Sequence, residues 1–107
     1  MTIDEIFELI GSNICNCIKT DSWEKAVLNI QGGDNEIGFD GFYIVNNNKY
    51  DLAVQNFDMD VDFALMDLHK ITTEGGSNEW NYAVFTLLPT GEFNIDFCMK
   101  DGLNEND

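Results

Sequence analysis

The stretch Trp80-Asn81-Tyr82-Ala83-Val84-Phe85-Thr86-Leu87-Leu88-Pro89-Thr90-Gly91-Glu92-Phe93-Asn94-Ile95-Asp96-Phe97-Cys98-Met99 decides the fold. Trp80, Tyr82, Val84, Thr86 and Leu88 alternate along its first half. Phe93, Ile95, Phe97 and Met99 alternate with Glu92, Asn94, Asp96 and Cys98 along its second. A period of two belongs to strands, whose successive side chains point to opposite faces. Pro89-Thr90-Gly91 supplies the turn between them, Pro by presetting φ and Gly by tolerating positive φ. The pattern therefore predicts a β-hairpin over residues 80–99.

Upstream of the hairpin the period changes to that of a helix. From Phe57 to about Thr73, the residues Phe57, Val61, Ala64, Leu65, Leu68 and Ile71 form a core stripe. Asp58, Asp60 and Asp62 fall in its first turns, where the helix dipole favours anions. Glu74-Gly75-Gly76-Ser77-Asn78 breaks the helix. Earlier still, Ala26, Leu28 and Ile30 alternate with Lys25, Val27, Asn29 and Gln31, which predicts a strand from Trp23 onward. A turn at Gln31 to Asn35 leads into a second strand carrying Ile37, Phe39, Tyr43 and Val45 on one face. Gly41 shares that face and marks a bulge or a close helix contact. Asn46-Asn47-Asn48 is a further turn, followed by a short third strand over residues 49–54.

At the N-terminus, Thr2 and Glu5 make a capping box, and Ile3, Ile6, Phe7, Ile10, Ile14, Cys17 and Ile18 follow at helical spacing. This helix is expected to end near Thr20-Asp21-Ser22. Gly11 inside it costs roughly 1 kcal/mol against Ala, so packing must hold the helix together. The order α-β-β-(β)-α-β-β predicts an α+β fold, an antiparallel sheet of four or five strands with two helices on one face. Residues 1–100 form a single domain, and 101–107 are a polar, frayed tail.

The composition narrows what such a domain does. With 107 residues, 44% of them hydrophobic, the chain builds one core and no more. Twenty carboxylates face five lysines and no arginine, giving a net charge of −15. Nucleic-acid binding needs Lys and Arg to displace counterions, so nucleic acid is excluded as a direct partner. The missing guanidinium groups also argue against phosphoester enzymes, which use them as bidentate clamps. The same negative field attracts basic proteins and speeds their association. Cys15, Cys17 and Cys98 form no metal-binding or disulfide spacing and are expected to be reduced, mostly buried thiols. Asp4, Glu5 and Glu8 stand where a secretory leader needs basic residues, and no apolar run approaches the roughly 18 residues of a membrane span. A cytoplasmic protein with no membrane partner is expected.

Catalytic and metal chemistry fare poorly at the residue level. Asp58-Met59-Asp60-Val61-Asp62 resembles the start of a calcium loop, but Phe63 and His69 occupy the positions that need Gly and Glu. His69, the single histidine, lacks companions for a zinc site, and no nucleophile elbow surrounds Ser12, Ser22 or Ser77. Neither cofactor, metal nor catalytic residue is expected, and the chain reads as a non-enzyme. Helix geometry singles out a different feature. At about 100° per residue, Met59, Phe63 and Met66 lie opposite the core stripe, with Asp60 and Asp67 on one flank and Asp58 and Asp62 on the other. An apolar ridge between acidic rows has the anatomy of a protein-binding site. Asp34, Glu36 and Asp40, with the Trp80 strand, suggest a second acidic and aromatic surface.

The chain resembles a known family in its N-terminal amphipathic helix, its Trp23-Glu24-Lys25-Ala26 strand and its acidic helix. Most specific is the hairpin pattern Trp80-x-x-x-x-Phe85-Thr86-Leu87-x-x-x-Gly91-x-Phe93-Asn94-Ile95-Asp96-Phe97. These residues resemble the YezG-like immunity proteins, antitoxins encoded beside secreted polymorphic toxins and related to immunity partners of contact-dependent growth inhibition. The resemblance spans roughly residues 1–100. It implies an antiparallel α+β fold and one task, binding a toxin domain in the bacterial cytoplasm; the net charge adds that this partner is basic, and a one-to-one complex is expected. The toxin implied is a nuclease, an RNase or tRNase. Asp58, Asp60, Asp62, Phe63, Met66 and Asp67 are the candidate contacts, and they come from the helix geometry, since the family carries no contact residue over. An acidic adaptor or nucleic-acid mimic acting on another basic protein is the alternative.

Overall fold

The computed structural model describes residues 2–33, 36–74 and 79–99. Asp34 and Asn35 of the first turn, the Gly75 to Asn78 break and the expected tail at 101–107 lie outside the described residues. The elements run in the order α1 (Ile3–Cys17), β1 (Lys25–Gly33), β2 (Glu36–Val45), β3 (Asn48–Asp51), a single 3-10 turn (Val54–Asn56), α2 (Met59–Thr73), β4 (Tyr82–Leu87) and β5 (Phe93–Cys98). The five strands form one antiparallel sheet in the spatial order β3-β2-β1-β4-β5. Among the described residues this is an α+β fold of two helices and five strands.

Alternation in β1 determines where the helices go. Ala26, Leu28 and Ile30 are fully buried and face the same side as Ala83, Phe85 and Leu87 of β4 and Ile95 and Phe97 of β5. Ile6, Ile10 and Ile14 of α1 and Val61, Ala64, Leu65 and Leu68 of α2 close that side into one core. Each fully buried side chain of this kind contributes about 1.5–3 kcal/mol, so both helices are held by their apolar faces more than by propensity. In β4 the core phase is Ala83, Phe85 and Leu87, with Tyr82, Val84 and Thr86 pointing away. Trp80 is nevertheless buried, because it precedes β4 and turns inward under α2.

The helix ends follow from local chemistry. Thr2 accepts from the Glu5 N–H at 3.2 Å and its own N–H donates to the Glu5 carboxylate at 2.8 Å, the reciprocal box expected from sequence. That backbone N–H holds the Glu5 carboxyl below its ordinary pKa. α1 stops at Cys17, earlier than the Thr20 region, because Ile18 adopts an extended conformation and is drawn into the core. α2 begins at Met59 rather than Phe57. Asp58 is extended, and its N–H is captured at 2.8 Å by Oδ1 of Asn13, the one buried polar side chain among the described residues. Phe57 instead stacks on Phe39 with ring centroids 5.7 Å apart. Ile71 also leaves the expected stripe and is 39% exposed. It lies roughly 75° off the centre of the buried face at 100° per residue.

Turn and strand details sharpen other expectations. Asn46 (φ 53°) and Asn47 (φ 67°) both sit in the left-handed region, the signature of a two-residue type I′ hairpin turn between β2 and β3. β3 ends at Asp51 and Val54 enters the 3-10 turn, so the third strand is shorter than the pattern over 49–54 predicts. Gly41 marks no bulge, since the β1–β2 register is continuous through Leu28↔Gly41. A Cβ there would instead strike the carbonyl oxygen of Val27 and lie 3.2 Å from the Leu52 side chain.

The cysteines depart from expectation. Cys17 is half-buried with Sγ 3.4 Å from the Ala53 carbonyl oxygen, and burial pushes its thiol pKa up. Cys15 and Cys98 are exposed. Two helical positions turn the side chain by about 200°, which sends Cys15 outward when Cys17 points in. Alkylation of the native protein should therefore modify Cys15 and Cys98 quickly and Cys17 slowly, as read by mass spectrometry of the time course. The two glycines should behave oppositely. Gly41→Ala is expected to destabilise by about 1–3 kcal/mol through overpacking, and Gly11→Ala, whose Cβ meets nothing within 4 Å, to stabilise by roughly 0.5–1 kcal/mol. Urea denaturation of the two variants checks both signs.

Candidate functional site

α2 buries one face and offers the other. Val61, Ala64, Leu65 and Leu68 are at most 1% exposed, so the helix phase is set by the core. On the opposite side Met59 is 75% exposed, Phe63 64% and Met66 37%. Their i, i+4, i+7 spacing makes them one ridge about two turns long. Asp58, Asp60, Asp62 and Asp67 are all exposed, so the structure brings the expected ridge and its acidic flanks together. Lys70 closes the ridge at its C-terminal end and is the basic residue of the last turn.

The carboxylates are not equivalent. Asp60 and Asp62 stand in the first turn, where they favour α2 itself through its dipole. Asp58 occupies the N-cap position without using its side chain as a cap, which leaves that carboxylate to solvent. Asp67 lies mid-helix, where the dipole offers it little. Asp67 on the flank and Met59, Phe63 and Met66 on the ridge are thus the residues for which the free protein supplies the weakest structural reason.

His69 sits at the boundary of the same helix, half-buried. Its Nε2 lies 3.0 Å from the Trp80 carbonyl oxygen, an acceptor, so that nitrogen carries the proton. Its ring meets the Trp80 indole edge-on at 4.7 Å. It is therefore engaged in packing. Among the described residues no three His, Cys, Asp or Glu side chains converge as metal ligands.

The second acidic surface is rearranged relative to expectation. Trp80 belongs to the core, and Asp34 lies outside the described residues. Glu36 and Asp40 lie on the helix-free face of the sheet, with Val27, Phe42, Ile44, Val84 and Asp96. Most of this face satisfies itself. Val27 at its centre is only 8% exposed, Asn29 donates to Asp40 at 3.3 Å and accepts from the Tyr82 hydroxyl at 3.0 Å, and Lys49 covers the Phe42 ring at 4.3 Å. The signal for it was present in β2, which is apolar on both phases through Phe39 and Tyr43 on one side and Phe42 and Ile44 on the other. Large anchors stand freer on α2 than here.

A scan against protein-family models finds no match for the chain, and a search of curated proteins finds none either. No helix among the described residues is long and apolar enough to cross a membrane.

If the ridge exists for a partner, the free protein should be indifferent to it. Phe63→Ser is expected to change the unfolding free energy by no more than about 0.5 kcal/mol. Leu65→Ser, two residues on and on the opposite, buried face, should cost several times that. Thermal melts of the two variants distinguish a surface anchor from a core residue.

Proposed function

We propose that this chain is a cytoplasmic immunity protein that captures a basic nuclease toxin, an RNase of the contact-dependent growth inhibition type, in a one-to-one complex. One observation carries the reading. Phe63 and Met66 form an exposed apolar ridge between rows of carboxylates on a protein of net charge −15. An RNase holds its substrate backbone in a basic groove, and carboxylates at Asp58, Asp60, Asp62 and Asp67 offer that groove the same sign of charge as phosphate. The field of the whole protein steers the encounter, and buried anchors then set the lifetime of the complex. Occupation of the groove excludes RNA without any chemistry by the immunity protein. The hairpin residues that resemble YezG-like immunity proteins support the same reading.

The test uses a nuclease toxin domain, sought first among the products of the genes beside the one for this chain. Added immunity protein should abolish RNA cleavage at a one-to-one ratio. Phe63→Ser should weaken the complex at least tenfold, about 1.4 kcal/mol or more. Asp67→Asn should act chiefly by slowing association. The association rate should fall steeply between low and high salt, and a salt-independent rate would sink the electrostatic account. Failure to bind the nuclease, with firm binding to an unrelated basic protein, would favour an acidic adaptor or nucleic-acid mimic instead.

A further inference from the structure

A groove of about 830 Å³ lies between α1 and the β4–β5 hairpin, lined by Asp4, Phe7, Glu8, Gly11 and Phe93 among others. Its floor is a cluster of three rings. Phe7 meets Phe93 at 5.1 Å and Phe85 at 6.0 Å, and Phe85 stacks on Phe93 at 5.3 Å. Phe85 is fully buried, but Phe93 is 47% exposed, packed by the cluster on one side and open to the groove on the other.

Gly11 carries the argument further. It sits in the middle of α1, one turn beyond Phe7, and a Cβ built on it meets nothing within 4 Å. Alanine there would strengthen the helix without a clash. In the free protein the glycine therefore has no packing reason, and its effect on the surface is to leave the groove wall open. A missing side chain beside exposed aromatic rings is a seat for a side chain supplied from outside.

The lips of the groove specify what arrives. Asp4 and Glu8 lie four residues apart on the same wall of α1, both exposed, and no lysine is among the groove's described residues. A second copy of this chain would bring the same sign of charge, at −15 apiece, which opposes self-association through this face. We propose that the groove docks an extended segment of a basic partner, seating one aromatic or branched aliphatic side chain over Phe7 and Phe93 beside Gly11, with flanking Lys or Arg paired to Asp4 and Glu8. The inference rests on the reading above for the sign of the partner's charge. It adds a second point of attachment, separate from the α2 ridge.

The probe is a short synthetic peptide of lysines flanking one phenylalanine, with a control that carries serine in its place. Both are titrated into the full chain labelled with ¹⁵N. The phenylalanine peptide should shift the amides of Gly11, Cys15 and Gly91, and the serine peptide should bind at least tenfold more weakly. Gly11→Leu should lose the peptide while melting at a higher temperature, a combination that misfolding does not produce. The double variant Asp4→Asn, Glu8→Gln should weaken the peptide, and Phe63→Ser should leave it unchanged. Equal binding of the two peptides, shifts confined to α2 or the helix-free sheet face, undiminished binding by Gly11→Leu, or no shift at millimolar peptide would each overturn the groove. Because the nuclease assay reads the α2 ridge through Phe63, failure of the peptide leaves toxin capture standing.

Discussion

Trp80 must be buried, and its indole N–H must be satisfied once it is. An unpaired buried donor costs on the order of 1–3 kcal/mol, so the second requirement is as binding as the first. Thr72 meets it, accepting from Nε1 at 2.7 Å, while His69 reaches the Trp80 carbonyl oxygen at 3.0 Å. Both partners lie in the last turns of α2. The indole also packs on Phe97 of the edge strand at 5.0 Å and fills space that Gly32 leaves open, since a Cβ at Gly32 would lie 3.1 Å from the ring. One side chain thus ties the C-terminal half of α2 to β1 and to the hairpin. Asn13 ties the N-terminal end of α2 to α1 through the Asp58 N–H. With both ends fixed, α2 has no freedom to roll, and Phe63 and Met66 have no route into the core.

This explains why the outward ridge was legible in the sequence and other features were not. The period of α2 placed Met59, Phe63 and Met66 opposite Val61, Leu65 and Leu68, and burial of a continuous stripe is what a core demands. The two-residue turn at Asn46 and Asn47, the capping box at Thr2 and the β5 alternation were legible for similar reasons, each being set by neighbours in sequence. What failed depended on partners far along the chain. The start of α2 at Met59 is imposed by an amide-to-carboxamide bond from Asn13, forty-five positions away. Trp80 reads as a strand residue until Thr72 and Gly32 are brought to it. Gly41 reads as a bulge because no local rule announces the close approach of the Val27 carbonyl and Leu52. The exposure of Cys15 and Cys98 likewise follows from where α1 and β5 come to rest, whereas Cys17 packs against the core as its place in the apolar stripe predicts.

The acidic residues divide by what the fold asks of them. Glu5 closes a helix end, Asp40 accepts from Asn29, and Asp60 and Asp62 favour the dipole of α2. Asp67 and Glu8 have no comparable internal duty, and each borders exposed apolar surface, on α2 for the first and beside α1 for the second. Charge that is not needed for folding and stands next to unburied aromatic or methionine side chains is what the two proposed docking surfaces share. The bulk figure of −15 does not say where such charge stands.

The sheet order has a further consequence, for how the chain reaches this state. β1, β2 and β3 pair in chain order as a meander, and β4 and β5 form a hairpin, so each half needs only local contacts. They meet along a single seam, where Ala26 to Gln31 pair with Leu87 to Tyr82. Closing that seam brings together segments separated by the whole of β2, β3 and α2, and such distant closure is the slow part of assembling a small domain. α1, although first in the chain, touches the hairpin through Phe7 and the start of α2 through Asn13, so it clasps both halves across the join. Until the hairpin docks, the inner edge of β1 is an unpaired template with Leu28 and Ile30 uncovered. The interval before that docking is when the chain is most exposed to mispairing, and its like charges are then what keeps one copy from completing another.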